Sequence, residues 1–122
     1  MVSALRDVKN LSLDLNLEEN CNTVTKGSVE IYNLAAKMGG MGFIEHNKAL
    51  CMLSVLINTH LLQDAFKHGS KRFSYASSAC VYNADKQKTF EAPSLKDKEE
   101  DAYPALAEDG YGWKGLFSER MC

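Results

Sequence analysis

A chain of 122 residues, 45% apolar and 25% charged, has the size and composition of one soluble globular domain. Its net charge of −2 excludes the strongly basic surface that nucleic acid or an anionic membrane would select. The opening MVSALRDVKN lacks the apolar core of a secretory leader, and the longest apolar run, Ala49 to Ile57, is less than half the roughly 20 residues of a membrane span.

Cys21, Cys51, Cys80 and Cys122 form no C-x-x-C pair, and none stands at metal-finger spacing from His46, His60 or His68. No metal is assigned. Reduced thiols and a cytoplasmic location are expected, with the three histidines at the surface or in caps.

In chain order, Leu11 to Leu15 (LSLDL) alternates apolar and polar residues and predicts a half-buried strand. Asn16 is placed to cap a short helix that Gly27 ends. Val29 to Ala36 is a β-branched-rich run suited to a parallel strand covered on both faces. Three glycines in KMGGMG, from Lys37, predict a tight loop. His46 to His68 predicts one long helix closed by Gly69, with apolar residues at 49, 50, 53, 56, 57, 61 and 65 on helical spacing. KRFSYASSA, from Lys71, predicts another strand, so strand, helix and strand form a βαβ unit with parallel strands. Residues 83–108, with Pro93, Pro104 and the charge run KDKEED, predict a solvated surface loop, and a last helix begins near Asp109.

In an open parallel sheet, ligands bind beyond the carboxyl ends of the strands. The glycine loop follows one strand and SSACVY follows the next. Glycines, Ser77, Ser78, Cys80 and Tyr111 should therefore gather at one edge. Taken singly, Tyr111 also suits an interface, Cys80 a small core residue, and MGGMG an ordinary turn.

The runs YNLAAKMGGMGFIEHN, INTHLLQDAFKHGSKRFSYASSACVY and EDGYGW resemble nucleotide-sugar epimerases of the extended short-chain dehydrogenase/reductase, or NAD-dependent epimerase/dehydratase, family. The resemblance runs from about Leu11 to the last residue. It implies an α/β fold: a partial Rossmann-like parallel sheet with flanking helices, the middle section of an NAD-binding domain with its first two strands missing. It also implies an NAD cofactor and a GDP-mannose-like nucleotide sugar, oxidised at C4 so that the C3 and C5 protons become acidic. Tyr111 is matched to the group that takes the hydroxyl proton, Ser78 to the serine bonding the same oxygen, and Cys80 to a proton carrier at the epimerised carbons. Lys114 is matched to the lysine that tunes the tyrosine. Gly39, Gly40 and Ser78 are matched to sugar contacts. Asp14, Ala35, Ala36 and Tyr111 are matched to cofactor contacts. A homodimer is in keeping with the family.

The chain also departs from that pattern. The phosphate-cradling G-x-x-G-x-x-G is absent, and Lys114 and Gly115 stand where relatives carry Glu and Lys. Each helical residue turns about 100°, so the lysine at Lys114 is swung away from the usual position. Lys37, Ser54 and Asn83 replace the usual aspartate, asparagine and proline. The expectation is a fragment of such an epimerase, impaired as written and unable to bind NAD⁺ measurably alone. The alternative is a catalytically inactive relative that engages a partner through an exposed sheet edge.

Overall fold

The computed structural model describes residues 8–37, 39–83, 102–107 and 109–122. Its first helix, α1 (Glu18–Thr25), opens with two glutamates, whose charge suits the positive end of a helix dipole. Asn16 does not cap it. The backbone N–H and side-chain amide of Asn16 both donate to Asp14 Oδ1, at 3.0 and 2.7 Å, so its own side chain is turned away from the helix. The Asp14 carbonyl instead accepts from Leu17 N–H at 3.2 Å and from the Asn20 amide at 2.9 Å. Gly27, with φ of 78°, releases the chain after the last turn, as expected.

Two strands follow the predicted βαβ logic. β1 (Glu30–Asn33) and β2 (Arg72–Tyr75) pair in parallel, with Glu30 opposite Arg72 and Asn33 opposite Tyr75. Both are shorter than the apolar runs that announce them. Among the described residues the sheet has these two strands, and Leu11 to Leu15 is not a third. Alternation makes a strand only where a neighbour accepts its backbone groups, and no described strand lies beside this segment. Leu11 and Leu13 are exposed, while Leu15 turns in to pack on Cys21, Ile57 and Leu61.

The expected helix from His46 to His68 is two pieces, α3 (Lys48–Leu53) and α4 (Val55–His68), and a separate short helix, α2 (Met41–His46), precedes them. The glycine loop is thus shorter than expected, and Gly40 is already the N-cap of α2. Asn47 breaks the first junction with ψ of 39°, its amide bonded to the Phe43 carbonyl at 2.9 Å. At the second, the Ser54 hydroxyl donates to the Cys51 carbonyl, the kind of local competition that bends helices. Gly69 closes α4 in the left-handed region at φ 73°, with Ser70 N–H on the Ala65 carbonyl at 2.9 Å.

Joined through Ser54, Lys48–His68 is long and apolar enough by length and composition to cross a membrane, a test that core helices also pass. Here Ile57, Leu61 and Ala65 are buried, and α4 packs against α1, both strands and the last helix, α5 (Asp109–Met121). Ile57 and Leu61 join Cys21, Leu15, Val24, Ala35 and Phe73 in one core. Val81, Ala102, Ala107 and Leu116 make a second. The expected loop 83–108 lies outside the described residues from 84 to 101. At its described ends Tyr103, Pro104 and Leu106 are exposed, while Ala102 and Ala107 are buried and Asn83 bridges Ala107.

The histidines also differ from expectation. His46 is exposed and bonds the Gly42 carbonyl at 2.7 Å, but His60 and His68 each hold one buried ring nitrogen without a partner among the described residues. All four cysteines are free. Burial, followed by the charges of Asp64, Asp14 and Glu18, pushes the Cys21 thiol up to about 11.

Candidate functional site

The carboxyl end of β2 is where most candidate residues meet. The strand stops at Tyr75, and Ala76 N–H still reaches back to the Asn33 carbonyl at 3.1 Å. Ser78 then takes an extended conformation and its hydroxyl accepts from Cys80 N–H at 3.3 Å, capping a short 3₁₀ turn, Ala79–Val81. Ser78 is therefore held by its acceptor side, which leaves the hydroxyl proton to donate elsewhere. Cys80 rides on this turn half-buried, and Val81 beneath it is core.

Helix α5 packs directly on the turn, and two of its glycines make that approach feasible. A Cβ on Gly112 would collide with the Cys80 carbonyl oxygen and stand 3.0 Å from its carbon. One on Gly115 would meet Val81 Cγ1 at 2.9 Å, with Ser77 Oγ at 3.9 Å. Tyr111, half-buried, precedes the first of these contacts by one residue. So the fold brings Tyr111 and Lys114 on α5 to the turn that bears Ser78 and Cys80.

Lys114 does not stand where a tyrosine-tuning lysine was expected. It is only 5% exposed, and its Nζ donates to Tyr75 Oη at 3.1 Å. The same ammonium lies over the ring of Tyr111, 4.8 Å from its centroid, and 5.6 Å from that of Tyr75. These are cation–π distances. Lys114 thus addresses the face of Tyr111 and the hydroxyl of Tyr75. Tyr75 was missed in the sequence, although an aromatic closing a strand just before SSAC is a signal that could have been weighed.

Of the matched cofactor contacts, three converge, while Tyr111 on α5 is not among the residues around them. Asp14, Ala35 and Ala36 line one open cavity of about 410 Å³, together with Leu13, Leu15, Asn16, Leu34, Lys37 and Ile57. It lies just past the carboxyl end of β1. Hydrogen bonds from Asn16 hold the Asp14 carboxyl below its ordinary value, and the charge of Lys37 adds to this. Asn33 shapes the wall: its Oδ1 accepts from Ala35 N–H at 3.1 Å while its amide donates to buried Asn58 at 3.0 Å. Gly39 and Gly40 follow on the same side, leading into α2, with Gly39 drawn close over Phe43.

Small residues beside a carboxylate that accepts hydroxyl or amino donors fit the sugar and base end of a dinucleotide. No glycine-rich phosphate turn accompanies them, since G-x-x-G-x-x-G does not occur in the chain.

Residues 2–122 match the model of the NAD dependent epimerase/dehydratase family. The chain is 44% identical over 111 residues to GDP-mannose 3,5-epimerase of Arabidopsis thaliana. It is 43% and 42% identical to GDP-mannose 3,5-epimerase 1 of Oryza sativa subsp. japonica and subsp. indica. Each match covers 90% of this chain and 29% of the relative, so the chain spans under a third of their length.

Proposed function

The chain belongs to the NAD-dependent epimerase/dehydratase family, and from that membership we propose that its residues form the acid–base wall of a nucleotide-sugar epimerase site acting on a GDP-mannose-like hexose. The observation that carries this is the seating of α5 on the Ser78–Cys80 turn, with Gly112 against the Cys80 carbonyl.

In this reading the Tyr111 phenol takes the proton of the hexose C4 hydroxyl. Ser78, its oxygen already bonded to Cys80 N–H, donates its own proton to the same sugar oxygen. The Cys80 thiol moves a proton at the carbon next to the oxidised one, the work of a general acid and base. The cavity of Asp14, Ala35 and Ala36 takes the nucleoside end of the cofactor. Bound NAD⁺ supplies the reversible two-electron oxidation at C4. Lys114, hydrogen-bonded to Tyr75 and set over the face of Tyr111, makes this site slower than one with lysine at the fourth position.

The test is solvent-deuterium incorporation at C3 or C5 of GDP-mannose, in D₂O with NAD⁺, followed by mass spectrometry. Slow incorporation that Tyr111→Phe abolishes is expected. The engagement of Lys114 by Tyr75 favours a second reading, a relative with the constellation but without turnover. Complete absence of exchange at saturating NAD⁺ and sugar would establish that reading instead.

A further inference from the structure

Tyr75 has no part in the reaction as drawn, yet its hydroxyl accepts a hydrogen bond from the most buried charged side chain among the described residues of the site. We propose that Tyr75 is a positioning residue: it anchors the ammonium of Lys114 so that the charge stays on the ring face of Tyr111. The inference rests on the reading of Tyr111 as the proton-accepting group.

Four observations converge on it. Lys114 is 95% buried, and an ammonium withdrawn that far from water needs strong local compensation. Among the described residues that compensation comes from one hydrogen bond at 3.1 Å and two aromatic faces at 4.8 and 5.6 Å. The position one residue on is crowded, because a Cβ on Gly115 would stand 2.9 Å from Val81 Cγ1 and that side chain would have to shift. Finally, Tyr75 is the last residue of β2, fixed by its register with Asn33, so its ring is set on a rigid element. Helix α5 thus sits so close to the turn that a lysine at Gly115 would have to displace the Val81 side chain. One at Lys114 rises on the neighbouring flank, where the strand-end phenol receives it.

The division of labour between the two tyrosines follows. Tyr75 contributes through its oxygen, Tyr111 through its π face. Removing the hydroxyl of each should therefore have different consequences for Lys114.

The test is amine acylation of the whole chain, reading Lys114 against exposed Lys26 by mass spectrometry. Tyr75→Phe keeps a ring but deletes the acceptor, and should raise the relative acylation rate of Lys114 about tenfold. Tyr111→Phe keeps the π face and should leave the rate unchanged. Equal protection of Lys114 in wild type and Tyr75→Phe would overturn the proposal.

Should Tyr75→Phe fold poorly, a thermal cycle in the Lys114→Met background decides. Tyr75→Phe should lower Tm by about 5 °C with Lys114 present and by about 1 °C or less without it. Equal losses in both backgrounds overturn the anchor. Absent deuterium exchange in the wild-type chain sinks the catalytic reading of Tyr111 alone, and the acylation rates still decide whether Tyr75 holds the lysine.

Discussion

Gly112→Ala tests whether the close seating of α5 builds the site. In an exposed helix interior this change stabilises by roughly 1 kcal/mol, because alanine is the better helix former. Here the new methyl would run into the Cys80 carbonyl oxygen and stand 3.0 Å from its carbon, with Ala107 Cβ at 3.3 Å. Backbone cannot swing aside as a side chain can. Overpacking costs about 1–3 kcal/mol, and a collision with backbone belongs at the top of that range. The net loss is about 2 kcal/mol, or a fall in Tm of roughly 5–10 °C for a chain of this size. Gly115→Ala is the internal control. Its methyl meets Val81 Cγ1 at 2.9 Å, the end of a side chain that can yield, so helix propensity should nearly cancel the clash. Thermal unfolding by circular dichroism reads both. A Gly112→Ala variant that melts at or above wild type would refute the claim that α5 is pressed onto the turn.

Three further outcomes follow from named contacts. The Cys21 thiol, raised to about 11 from an ordinary 9.0, stays protonated when folded while the unfolded chain ionises. Stability is then full below pH 9 and falls as pH rises toward 11; denaturant midpoints across that window check it, and a Cys21→Ala variant should lose this part of the pH dependence. Asn16→Ala removes the side-chain hydrogen bond that helps depress Asp14 and keeps the larger one from the Asn16 backbone N–H, so the Asp14 carboxyl should titrate part of the way back toward 3.8 in a carbon-13 NMR experiment; an unmoved titration would show that the Asn16 side chain has no share in the shift. Asn58→Ala strips the buried Asn33 amide of its acceptor, at a cost of about 1–3 kcal/mol by chemical denaturation, and loosens the loop of Ala35 and Ala36; a loss below about 0.5 kcal/mol would mean the pair is not satisfied as drawn.

Some of this was readable without coordinates because it depends on local chemistry. The C-cap at Gly69, the parallel pairing of the two apolar runs around a helical segment, and the start of α5 at Asp109 all follow from neighbours in sequence. So does the gathering of Ser78, Cys80 and Tyr111, since parallel strands must deliver their following loops to one edge. Pattern also misled where a local preference needed a distant partner. LSLDL alternates like a strand, but a strand is completed by the neighbour that accepts its hydrogen bonds. Asn16 looked like a cap, but the nearer Asp14 carboxylate took its donors.

The residue types at the site, and the displacement of lysine from the fourth to the third place after Tyr111, were therefore settled by sequence alone. Where that lysine goes was settled by tertiary structure. Its ammonium lies between Tyr75 and Tyr111, 39 and 3 residues away along the chain. Helical spacing gives the direction in which a side chain leaves its helix, but only packing decides what it meets. Here the approach of two glycines to a strand-end turn makes that choice.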